Sequence, residues 1–219
     1  MPVPVALVRL FVAALEGDVE AVEKKGLRAA RTAGAASCRE ALRLVHLFAG
    51  FPRNLTALEA WERAVRRLAK GHRETREPST RGRASKAAGR ALFDRIYAQH
   101  ASAVRARLAE LDPSMARWVE QHAYGSVLSQ CKALEDSDVE CLAVAALVAT
   151  NQERQLISHI LGAIRCGAPP RAIRAAARVG AANLPATQRK RLLGRVEATL
   201  AGSALRAVSP RRGSRPASN

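Results

Sequence analysis

Gly34 and Pro52 stand 18 residues apart, and Gly167 and Pro185 repeat that spacing further along the 219-residue chain. Glycine commonly ends a helix and proline commonly starts one, so each pair marks a stop followed by a start. A shift of 133 residues lays GLRAARTAGA-(x)13-AGFP on HILGAIRCGA-(x)13-ANLP. Gly34 then meets Gly167, Ala35 meets Ala168 and Pro52 meets Pro185, without a gap. After a one-residue slip, VAAL at 12–15 meets VAAL at 144–147. The chain therefore reads as two diverged copies of one helical unit.

Further signals fill in the helices. Asp18 is placed to cap a helix ending at Gly34, and Ser37 with Glu40 spells a capping box, S-C-R-E, for a helix to about Ala49. Pro52 opens a helix to about Lys70. A helix over 88–111 is followed by one that Asp112 and Pro113 cap and start. Ser137 and Glu140 form a second box, S-D-V-E, before CLAVAALVA. A helix over 151–166 stops at Gly167, and Pro169, Pro170 and Pro185 start the last two. No segment alternates apolar and polar residues as a strand does, so the fold class is all-α. Residues 71–87, polar, basic and broken by Pro78 and Gly82, read as a linker between a unit over 1–70 and a unit over 88–202. Residues 203–219 read as a basic disordered tail.

Hydrophobic residues make up 48% of the chain, which allows a packed body, but no apolar run reaches the roughly 18 residues of a membrane span. The N-terminal segment lacks a basic start and a continuous apolar run, so it reads as the beginning of the fold. Cys38, Cys131, Cys141 and Cys166 form no C-x-x-C pair and no zinc spacing, and metal ligation is not expected. A reduced, cytoplasmic setting follows as the default. The net charge of +17 is spread along most helices, with concentrations at 66–95 and after Ser203. No recognition motif or aromatic platform accompanies it, so nucleic acid is expected to bind only non-specifically.

The segment over 118–170 carries the chemistry. Gln155 and His159 are four apart and share a helix face, with Gln152 a further turn back. Glu140 sits near the start of the preceding helix, within reach of that face across a short connection. A carboxylate, an imidazole and an amide converging there make an acid–base site. His122 and Tyr124 flank Gly125 and are candidates to line the same pocket. Each has a plainer role as well: Glu140 as the last member of its capping box, His159 as a satisfied histidine, the glutamines as helix surface, Tyr124 as packing.

AYGSVLSQ at 123–130, E-x-L-x-V-A-A-L-V-A from Glu140, and Q-L-x-x-H-I-x-G-A followed by C-G-A resemble the carboxymuconolactone decarboxylases and the related alkyl hydroperoxidase D proteins. AGFP at 49–52 resembles that family's closing helix. The resemblance implies two tandem helical-bundle units of this type. It implies His159 as proton carrier, Glu140 as its partner, and Gln155 as hydrogen-bond donor to a small carboxylated or lactone-like metabolite, with Gln152, Tyr124 and His122 lining the site. No cofactor is needed. The redox branch uses C-x-x-C-x-x-x-H with a glutamate twelve residues upstream; Gln152 and Gln155 stand where its thiols would be, so dithiol peroxidase activity is not expected. Gln130 and Val139 occupy positions where the decarboxylase branch has arginines, and Val22 and Gly26 in the first copy match Gln155 and His159. The alternative is thus a member without catalysis, serving assembly or small-molecule binding. Family members commonly form rings, so three two-unit chains are expected to self-associate as a trimer.

Overall fold

The computed structural model describes residues 2–68 and 82–208, and every regular element among them is helical. The order is α1 (Val5–Glu16), α2 (Val19–Ala33), α3 (Ala35–Leu68), α4 (Gly82–Tyr97), α5 (Ala101–Leu111) and α6 (Pro113–Trp118). A π-helical stretch (Val119–Val127) follows, then α7 (Asp136–Ala149), α8 (Glu153–Arg165), α9 (Pro170–Gly180) and α10 (Ala186–Val208). No described helix is long and apolar enough to cross a membrane.

The punctuation residues act where the chain places them. The Asp18 carboxylate accepts the Ala21 N–H at 2.9 Å, and Asp112 does the same for Met115 at 2.6 Å. Gly34 and Gly167 both take the left-handed φ that lets a chain leave a helix (82° and 88°). Gly50, at φ 79°, bends α3 so that Pro52 begins its second arm. Gly17 and Asn151 also sit at positive φ after α1 and α7. Each is followed by a return bond five residues back, Asp18 N–H to Ala13 O at 3.0 Å and Gln152 N–H to Leu147 O at 2.8 Å.

α1 and α7 are the two central helices. Val139 to Val148 is buried without interruption, as expected of a helix that is apolar all round. α7 packs on α8 and α9 and touches α3; α1 packs on α2 and α3 and reaches α9. One hydrophobic core results, with Leu7, Phe11, Leu42, Trp61, Phe93, Leu142, Ile160 and Ile173 all inside it. Gly180 permits the α7–α9 approach, since a Cβ there would meet Ala145 Cα at 3.1 Å and the carbonyl more closely still.

Four expectations are corrected. Neither capping box is used. α3 starts at Ala35, and the Ser37 hydroxyl donates to Ala133 O at 3.1 Å. The Glu40 carboxylate accepts the N–H groups of Lys132, Ala133 and Leu134 at 2.8, 2.9 and 3.0 Å. Three bare donors ahead of α7 outcompete one helix end for that side chain. α7 starts at Asp136 with no side-chain cap, which leaves Ser137 inside its first turn and Glu140 in the interior. The expected 88–111 helix breaks at Ala98, which takes a φ of 49° before α5 begins. The linker's last residues, 82–87, belong to α4, and the tail's first residues, 203–208, belong to α10; both runs are rich in helix formers. The remainder of each, 71–81 and 209–219, lies outside the described residues.

Candidate functional site

α7 and α8 are joined by three residues, Thr150, Asn151 and Gln152, so the two helices return antiparallel. That turn sets Glu140 against His159. The Glu140 side chain is 1% exposed and that of His159 14%. His159 Nδ1 lies 3.0 Å from Glu140 Oε2. A carboxylate can only accept, so Nδ1 carries the proton and Nε2 is the nitrogen left to work. The other carboxylate oxygen, Oε1, is buried and has no hydrogen-bond partner among the described residues.

Gly162, one turn beyond His159, makes room for the carboxylate. A Cβ at this position would clash with Glu140 Oε2, come within 3.2 Å of Glu140 Cδ and lie 2.9 Å from Ile96 Cγ2 of α4. The glycine of H-I-x-G-A is thus a space requirement of the Glu140 side chain. Burial pulls the His159 pKa down, but the Glu140 charge and hydrogen bond outweigh it, and the net shift is upward.

α4 packs on α8 beside this pair and, on another side, on the π-helical stretch. α4 and that stretch cross glycine on glycine, since a Cβ on Gly89 would fall 2.5 Å from Gly125 Cα. This approach brings the Tyr124 hydroxyl to 3.3 Å from that of Tyr97, to which it donates. Phe93 packs against both rings, with centroids 4.4 Å and 4.9 Å away. Burial raises both phenols first, and the Glu140 charge raises them further. Cys166 feels the same charge: burial and then Glu140 push its thiol up to about 11, against Arg95 and Arg165. Cys131 and Cys141 rise to about 12, chiefly through burial, so none of these thiols is a ready nucleophile.

Of the residues singled out from sequence, Glu140 and His159 come together, while Tyr124 is buried against Tyr97 and Phe93 and feels the Glu140 charge. Gln155 is exposed on α8, one turn before His159. Gln152 is displaced from the expected face: it precedes α8 as its N-cap, and its amide donates to Thr150 O at 3.1 Å. His122 is exposed and turned toward α3, where its ring meets His46. Tyr97 was not singled out; with Phe93 and Ile96 it completes an i, i+3, i+4 stripe of α4, the only sequence signal it carries. Val139, at 2% exposure, is core. The Gln130 amide donates to Gly125 O at 3.3 Å and to Ser129 Oγ at 3.2 Å. It lines a separate cavity of about 290 Å³ with Arg43, His46 and Phe51. No three metal-ligating side chains gather among the described residues.

No family model, no curated protein and no solved structure matches the chain.

Proposed function

We propose that the chain is a carboxymuconolactone decarboxylase-like protein performing cofactor-free acid–base chemistry on a small carboxylated or lactone-like metabolite. The observation that carries this reading is the buried Glu140 carboxylate held 3.0 Å from His159 Nδ1. In such a reaction the bond from carbon to the carboxylate breaks and carbon dioxide leaves. The electron pair is delocalised into the lactone carbonyl. His159 Nε2–H then delivers a proton to carbon and is recharged from solvent. The upward shift of His159 keeps the imidazolium populated at higher pH than free imidazole, which suits a proton donor. Gln155, exposed on α8 one turn before His159, is the hydrogen-bond donor to substrate in this reading. Glutamines in place of both thiols argue against a dithiol peroxidase.

The purified chain should be offered carboxymuconolactone and related small lactone acids, with carbon dioxide release as the readout. His159→Ala should abolish turnover and leave the circular dichroism unchanged. Equal turnover in the variant rejects the role given to His159. A second reading, a non-catalytic member that binds a small molecule or serves assembly, is favoured by one observation. Gln130 and Val139 offer no cation to the pair, while the Arg95 guanidinium is held by Asp136 and Arg165 donates to the Ile96 carbonyl. Absence of turnover on every lactone acid, with ligand-induced shifts at His159, would select it.

The tandem-unit interpretation belongs to the same proposal. It is supported by the matched left-handed exits at Gly17 and Asn151 and at Gly34 and Gly167. A ring of three chains would have three times the 23.5 kDa chain mass in light scattering, and a persistent monomer removes it.

A further inference from the structure

A pair of imidazoles lies outside the Glu140–His159 site. His46 stands near the end of the first arm of α3, and His122 in the π-helical stretch. Their Nε2 atoms are 3.0 Å apart. His46 Nδ1 lies 2.5 Å from the Arg43 carbonyl oxygen. A carbonyl only accepts, so Nδ1 bears the proton and Nε2 of neutral His46 is a bare lone pair. Phe51 stacks on the His46 ring, centroids 4.9 Å apart and planes 12° off parallel, which fixes the ring's direction. An imidazole whose outer N–H is tied to a carbonyl and whose inner nitrogen is bare is the arrangement used to aim a metal ligand. His122 brings its own Nε2 to the same point.

We propose that His46 and His122 together bind a divalent transition-metal ion through their Nε2 atoms. The spacing selects among ions. With metal–nitrogen bonds of about 2.0–2.1 Å, ligands at right angles are about 2.9 Å apart, and tetrahedral ligands about 3.3 Å. The observed separation is nearer the right angle, so Cu²⁺ or Ni²⁺ with water in the remaining positions fits better than Zn²⁺. The two residues are 76 apart in sequence, so a bound ion ties α3 to the segment leading into α7.

The test uses the full chain freed of any affinity tag. Copper sulfate and nickel chloride are titrated calorimetrically, and the copper complex is examined by electron paramagnetic resonance. One ion per chain, superhyperfine coupling to two imidazole nitrogens and a saturable rise in Tm are expected. His46→Ala and His122→Ala should each weaken binding at least about tenfold and remove the Tm rise, while His100→Ala should change neither. The nitrogen count in the unaltered protein decides the matter even where His46→Ala folds poorly. Coupling to fewer than two nitrogens, or equal affinity in His122→Ala, overturns the proposal and leaves the rings joined by an N–H···N bond alone.

Discussion

Replacing Glu140 by Gln keeps the side chain's shape and removes its charge. In the native protein His159 is protonated more readily than in the unfolded chain, because the Glu140 attraction outweighs burial. A group whose folded pKa is raised stabilises the fold fully below its unfolded value, about 6.5, and loses that contribution as pH rises through the folded value. Native stability should therefore decline from pH 6 upward by this component. In Glu140→Gln only burial remains, which lowers the His159 pKa and reverses the sign, so acidification becomes destabilising. The charge-assisted bond at 3.0 Å is worth about 1.5–3 kcal/mol near pH 6. The buried charge of the carboxylate is relieved by the change, which places the net cost toward the lower end. Urea unfolding of both proteins from pH 5.5 to 9 measures the difference, which should shrink as pH rises. A gap that is constant or widens with pH would refute the coupling between the two residues.

Three further outcomes follow from the same geometry. Gly162→Ala should lower the His159 pKa, read by NMR titration, because the added methyl displaces Glu140; overpacking of about 1–3 kcal/mol, less about 0.8–1 from better helix propensity, leaves a net loss of about 1 kcal/mol. Glu40→Ala should cost about 1–3 kcal/mol in urea unfolding, set mainly by the buried Leu134 N–H, since water can reach the other two donors. Binding to DNA or RNA should be non-specific and disappear between about 50 and 200 mM salt in anisotropy titrations, whereas a salt-resistant, sequence-specific complex would contradict a merely scattered charge.

The helices were legible because their ends are written in single residues. Asp18, Gly34, Pro52, Asp112 and Pro185 act through their own backbone neighbourhood, which is what a sequence displays. The errors came where a local signal met a distant competitor. Ser37 and Glu40 spell a capping box, yet the Ser37 hydroxyl donates to the Ala133 carbonyl and the Glu40 carboxylate accepts from the chain at 132–134, a pairing with no local mark. Ala98 breaks a helix with neither glycine nor proline, so composition is silent there. The proximity of Glu140 to His159 could be anticipated from a short turn between antiparallel helices. Tyr97 could not, because its place depends on Gly89 meeting Gly125 across two elements 36 residues apart. His122 and Tyr124 look equivalent in the sequence, but one faces α3 and the other the interior.

The Glu40 anchor bears on how the chain is made. Glu40 leaves the ribosome long before residues 132–134 are synthesised, so its carboxylate must stay hydrated until they arrive. The stretch ahead of α7 then settles onto a receptor formed by the earlier half. A nascent chain halted before residue 132 would hold that receptor open, and the later half expressed alone would lack it. Production of the two halves as separate polypeptides should therefore restore an ordered α7 start only when both are present together.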